Sequence, residues 1–249
     1  MIFANKAKVI RALLCPSLLG LSLSACSSLS PLIGDSFTLE GELPANFSLK
    51  AQAHYGVANG CDGGRRQAKS FDSGYQNNMQ QYRFIIPVSY RDGLCEMRLA
   101  RVGLFIHGRY GDKDWQKTYD NGGLEIVDKL PEGAPGFDAN GILTRQAECT
   151  WWFQQSTAKS RLGEISKLLN CKGTGAHLAA NELPGKVVRL GFRVNPEETP
   201  SYDRRWIETA AGWKPCQETE LSERCQTPPV FKTFKMNGLE CTVYPNCTE

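Results

Sequence analysis

Three histidines, His54, His107 and His177, and ten cysteines are the side chains of this 249-residue chain best suited to metal or nucleophilic chemistry. The histidines fall on separate segments, and no H-E-x-x-H or C-x-x-C spacing turns two ligands toward one ion. The G-x-S-x-G elbow of serine hydrolases is absent. Ser156-Thr157-Ala158-Lys159 fits the S-x-x-K pattern in which a lysine activates a serine, but the K-T-G and S-D-N elements that complete such sites are missing. The glycines and paired arginines of "NGCDGGRRQ", around Cys61, lack the lysine and the helix that a phosphate cradle needs. Asp112 and Asp114 in "GDKDW" have the opening spacing of a calcium loop without its glycine or closing glutamate. Each of these reads as a turn or surface loop, so the expectation is a non-enzyme with no catalytic residue, no metal site and no cofactor.

The informative chemistry is near the N-terminus. Lys6, Lys8 and Arg11 precede an apolar run from Ala12 to Leu23, which Pro16 interrupts. The run is shorter than the roughly 18 apolar residues that span a bilayer as a helix, and the layout is that of a secretory signal peptide. Leu23-Ser24-Ala25-Cys26 at its end resembles a bacterial lipobox, where the lipoprotein signal peptidase cuts before a cysteine carrying diacylglycerol. The resemblance implies that residues 1–25 are signal peptide and that Cys26 is the lipidated first residue of the mature chain, usually with a third acyl chain on its amino group. Two or more chains anchor stably where one does not. Ser27, rather than an aspartate, implies by analogy with enterobacterial lipoproteins an outer-membrane lipoprotein facing the periplasm.

Charge excludes a nucleic-acid partner. The 29 Lys and Arg exceed the 26 Asp and Glu by three, and Lys6, Lys8 and Arg11 are that surplus. A mature chain in balance has no electrostatic footprint for phosphate backbones.

With Cys15 in the signal and Cys26 acylated, eight cysteines remain: Cys61, Cys95, Cys149, Cys171, Cys216, Cys225, Cys241 and Cys247. An even set in an exported chain reads as disulfides formed in an oxidising compartment. The cysteines fall into four sequential couples, and nearest-neighbour pairing predicts Cys61–Cys95, Cys149–Cys171, Cys216–Cys225 and Cys241–Cys247.

These groups must be positioned by strands. In "FSLKAQAHY", Phe47, Leu49, Ala51, Ala53 and Tyr55 alternate with polar residues, which puts His54 on the wet face. "YRFIIPVSY" repeats the pattern, with Pro87 marking an edge or bulged strand, and Asp92-Gly93 supplies a hairpin turn into "LCEMRLARVGLFIH". There the apolar phase shifts between Leu99 and Val102, which predicts a bulge near Ala100 and Arg101. "VVRLGFRV" reads as a strand with Arg189 and Arg193 outward. "FKTFKMNGLECTVY" reads as a hairpin turning at Asn237-Gly238, with Lys235 opposite Glu240 and Phe231 opposite Tyr244. Between Cys149 and Cys171 two readings stand: Leu162, Ile165, Leu168 and Leu169 have helical spacing, while "AECTWWFQQ" and "KLLNC" could be arms of a hairpin centred on Ser160.

The expected fold is mainly β, an antiparallel sandwich-like single domain with disulfides and at most one short helix. Residues 26–44 read as a tether and 45–249 as the domain, with 214–249 a crosslinked C-terminal extension. Among aromatics, adjacent Trp151 and Trp152 must face opposite ways on a strand. Trp206 and Trp213 beside Arg204 and Arg205 are the candidate interaction residues, since Trp and Arg are favoured at binding hot spots.

Signal, short tether and Cys-rich β domain together resemble the periplasmic immunity lipoproteins that neutralise membrane-attacking effectors, notably phospholipases, delivered by type VI secretion systems. The resemblance is one of architecture and implies a binding protein with a toxin as partner. The alternative is an envelope assembly or structural lipoprotein. Replacing Cys26 with Ala is expected to block acylation and signal cleavage; mass spectrometry of the wild-type mature chain checks this by finding a lipid on Cys26 or a bare thiol.

Overall fold

A computed structural model of the chain describes residues 35–58, 61, 66–161, 164–222, 224–236 and 238–242. The lipobox and Cys26 lie outside the described residues, as do Asn237, Tyr244 and Cys247 and hence the Cys241–Cys247 couple. In chain order the strands are β1 Ser36–Leu43, β2 Phe47–Val57, β3 Gln67–Asp72, β4 Gln80–Pro87, β5 Ser89–Asp92, β6 Cys95–Arg109, β7 Lys117–Val127 and β8 Ile142–Gln155. They continue with β9 Ile165–Lys172, β10 Ala176–Ala179, β11 Val187–Val194, β12 Thr199–Pro200, β13 Trp206–Thr209, β14 Gly212–Pro215, β15 Thr233–Met236 and β16 Leu239–Thr242.

Two six-stranded sheets form a sandwich. One has the order β12-β8-β11-β1-β4, with β9 also on β8; the other runs β10-β7-β6-β2-β3, with β5 also on β6. Alternation builds the core as the sequence predicts. Leu49, Ala51, Ala53 and Tyr55 of β2 and Val102, Leu104 and Ile106 of β6 are buried against Leu39, Ile86 and Val188 of the other sheet. Ala100 is the extra residue of a bulge, because His54 pairs with Arg101 while Tyr55 pairs with Leu99. β4 is an edge strand that ends at Pro87.

The structure corrects several details. Both sheets are mixed: hairpin neighbours are antiparallel, but β1–β11, β8–β11, β8–β12 and β7–β10 run parallel. The chain changes sheets repeatedly, and strands joined by a crossover can pair in parallel. The tether is shorter than 26–44, since β1 is a central strand between β4 and β11. Phe37, Leu39 and Leu43 of β1 are buried, and only Gly41 interrupts the period of two. The turn after β5 is Gly93-Leu94, one residue later than expected, with Gly93 at φ 61° and Asp92 paired with Cys95.

Of the two readings for 149–171, the hairpin is found. Cys149 and Cys171 are register partners on β8 and β9 and are disulfide-bonded. The connection carries a single 3-10 turn, Lys159–Arg161, and no α-helix occurs among the described residues. Cys61–Cys95 and Cys216–Cys225 also pair as predicted. Lys235 lies opposite Glu240 on β15 and β16, while Phe231 bridges to Cys216.

Trp151 of β8 fills the space between the sheets, edge-on to Phe47 and Tyr110. Gly108 on β6 makes room for it: a Cβ there would lie 2.6 Å from Trp151 Cη2. Gly108→Ala is therefore expected to destabilise the fold by about 1–3 kcal/mol, the usual cost of overpacking. Gly56→Ala, where a Cβ meets nothing within 4 Å, is expected to be neutral or slightly stabilising. Urea unfolding of the two variants separates the outcomes.

Candidate functional site

The candidate interaction residues chosen from sequence are mostly structural. Trp206 is buried and stands edge-on to Phe153, and Trp213 packs beside the same ring. Together with Ile165 they make a second small core. The cause is the length of β8 and β9: Phe153 and Ile165 lie beyond the main core and are covered by the β13–β14 hairpin instead. Arg205 pairs with Glu218 at 3.3 Å, and the carbonyl of Arg204 accepts the Cys225 N–H at 2.8 Å. The crosslinked C-terminal unit thus begins at this hairpin, earlier than residue 214. The guanidinium of Arg204 remains exposed. Ser156 plays a turn role, its hydroxyl accepting the Ala158 N–H, and Lys159 is exposed on the 3-10 turn.

The outer face of the β2 sheet is more distinctive. All three histidines lie on it, two of them in one row across four strands: His54 on β2, Arg101 on β6, Glu125 on β7 and His177 on β10 are successive register partners. The next row is Gln52, Gly103 and Gly123, then Lys50, Phe105 and Asn121, and then Ser48, His107 and Tyr119. Tyr119 is 55 % exposed and stands 5.5 Å from His107 and 6.3 Å from Phe105, ring centre to ring centre. The face therefore carries an aromatic cluster beside a row in which two adjacent strands both present glycine.

That row is a trough. Gly103 and Gly123 face each other on adjacent strands, with Gly175 close to the Gly123 carbonyl. Neither strand glycine has a positive φ. A Cβ at Gly103 would meet its nearest atoms at 3.8 Å, and one at Gly123 at 3.6 Å, both ordinary contacts. Glycine inside a strand weakens it and often marks close approach by a ligand or another backbone. Here neither backbone conformation nor internal packing requires glycine, and the result is a shallow trough over which Phe105, His54 and Glu125 lean to within 3.7–3.9 Å of the missing Cβ positions.

No family model, curated protein or solved structure matches this chain. The arrangement is thus read from its own geometry. Among the described residues no group of three or more His, Cys, Asp or Glu side chains could hold a metal ion. What the face offers is aromatic edges, a guanidinium and two glycine positions where the backbone can be closely approached.

Phe105 and His107 were legible as outward positions, since Val102, Leu104 and Ile106 point inward. The opposition of Gly103 and Gly123 was not, because it depends on the register between two strands.

Burial lowers the pKa of His54, and the positive charge of Arg101 lowers it further. Burial also lowers that of His107, against an opposing pull from Asp72 and with a smaller contribution from Lys50. The fold thus favours the neutral imidazoles of His54 and His107. Below about pH 6.5 the unfolded chain binds protons that the folded one resists, so stability is full above that pH and declines as pH falls through it. Urea midpoints are expected to be lower at about pH 5 than at about pH 7.5. A His54→Gln, His107→Gln double variant is expected to narrow that difference.

Proposed function

We propose that this protein is a lipid-anchored, periplasm-facing binding protein without catalytic activity, and that it neutralises a secreted, membrane-targeting effector of phospholipase type. The binding part of this reading is carried by one observation: two facing strand glycines that the fold does not require keep a trough open beside Phe105, His107 and Tyr119. The immunity part is supported by the resemblance of lipobox, tether and Cys-rich β domain to effector-neutralising lipoproteins. A lipid on Cys26 would hold the trough at the membrane such an effector attacks, and a crosslinked sandwich offers a surface that needs little ordering on binding.

Cells deleted for the gene are expected to be killed by siblings carrying a type VI system, and the full chain to capture the responsible effector. Gly103→Val, Phe105→Ala and Tyr119→Ala are each expected to weaken that capture by about tenfold or more, as loss of a hot-spot contact does, while the chains still fold. Calorimetry against the effector measures this. Equal competition by the deletion strain, with capture of an envelope component through the same residues, would replace the immunity reading with one of envelope assembly.

A further inference from the structure

The opposite sheet carries a second hollow, on the far side of the sandwich from the trough. Its cavity of about 610 Å³ lies over β4, β1, β11 and β8. The row at its floor is Arg83, Glu40, Arg189 and Thr144, successive register partners across those four strands. Glu40 is held between two guanidiniums, 2.9 Å from Arg83 and 3.0 Å from Arg189.

One step along, the ladder between β1 and β11 is interrupted. Their pairing runs from Thr38–Val187 to Glu40–Arg189. Beyond it the Leu190 carbonyl accepts a hydrogen bond from the Tyr82 hydroxyl at 2.7 Å. Gly41 permits this, since a Cβ there would fall 1.9 Å from that oxygen. The next outward position on β11 is Gly191, and the Gln146 side chain leans over it, with Oε1 2.7 Å from where a Cβ would be. Tyr82 and Arg145 belong to the inward set of their strands, yet both line the cavity, which therefore reaches between the strands.

Arg145 is the unusual member. Its Nε is shut off from solvent and has no hydrogen-bond partner, and among the described residues no carboxylate lies within ion-pair distance of it. An unpaired buried donor costs stability unless something else satisfies it. The three arginines of the lining outnumber the two carboxylates by one; Glu40 serves both Arg83 and Arg189, Glu42 accepts only from Gln81, and Arg145 has neither carboxylate as a partner. Thr144 and Gln81 add neutral hydrogen-bonding groups to the lining, while Gln146 covers Gly191 and has to move when a ligand enters. A cavity of this size, with polar and apolar surface mixed in its walls, has room for a small ligand, and a guanidinium fork recognises planar or tetrahedral oxyanions by paired N–H donors.

We infer that this groove binds an oxyanion, a carboxylate or phosphate group, on Arg145, with Arg83 and Arg189 shared between the ligand and Glu40. Glu40 is then a resident competitor: it keeps the two outer arginines in place when the groove is empty and limits affinity when it is filled.

The test uses the full chain and the side-chain Nε–H signals of arginine in proton–nitrogen spectra, titrated with inorganic phosphate and separately with acetate, against sodium chloride at matched ionic strength. The Arg145 signal, assigned by its loss in Arg145→Lys, is expected to shift and saturate with one or both anions and to ignore chloride. The anion giving the tighter curve identifies the group as phosphate or carboxylate. Glu40→Gln, which frees two arginines without removing a donor, is expected to tighten binding by about tenfold, the worth of one charge-assisted hydrogen bond. An Arg145 signal that stays still or follows chloride equally would overturn the inference, as would a folded Glu40→Gln chain that binds no tighter.

Discussion

Cys171 ties the two sheets to each other. Its sulfur is joined to Cys149 on β8, and its backbone N–H donates to the Asp120 carboxylate on β7, in the opposite sheet, at 2.6 Å. One residue thus belongs to both layers, through a covalent link on one side and a charge-assisted hydrogen bond on the other. The chain then crosses from β9 to β10 in three residues, Gly173 to Gly175, and pairs in parallel with β7 from Ala176. The corner is tight. Gly173 adopts φ 82° against the Gln146 carbonyl, and a Cβ on Gly122 would lie 2.5 Å from Thr174.

Both proposed surfaces depend on that corner. Asp120 sits between Tyr119 and Asn121, which face outward from β7, so the hydrogen bond that holds the sheets together also fixes the strand carrying Gly123. On the other side, Gln146 and Arg145 precede the Cys149 crosslink on the same strand, and the Gln146 carbonyl lies against Gly173. The disulfide restricts the unfolded chain, while the Asp120 bond sets how the layers meet. The Tyr55 hydroxyl, donating to the Pro87 carbonyl at 2.9 Å, ties β2 to the end of β4 elsewhere between the layers.

Local pattern made much of this legible and long-range register hid the rest. Period-two alternation located β2, β4, β6 and β11, and nearest-neighbour spacing found the three disulfides among the described residues. β1 was hidden by Gly41, whose missing side chain breaks the alternation for the same reason that it admits the Leu190 carbonyl. Trp206 misled because composition cannot distinguish an exposed hot spot from a ring roofed by its own hairpin. The histidines looked unrelated in sequence, and only the order β2-β6-β7-β10 brings them to one face.

The two hollows differ in how ready they are for a partner. Each exists because an outward strand position is glycine, but at Gly191 the chain has already leaned a side chain of its own into the gap: a Cβ there would lie 2.7 Å from Gln146 Oε1. A ligand in that groove must displace Gln146 and compete with Glu40, so its affinity is reduced by rearrangement and by a resident charge. At Gly103 and Gly123 the chain's own side chains come no nearer than 3.7 Å to the missing Cβ positions, and the trough lies on strands in the middle of a sheet rather than on loops. Surfaces of that kind bind with little ordering of the backbone. The two proposed sites therefore make different demands on the two faces: a macromolecule on the β2 sheet would need little rearrangement of that sheet, whereas a small anion on the β1 sheet would have to displace Gln146 and compete with Glu40.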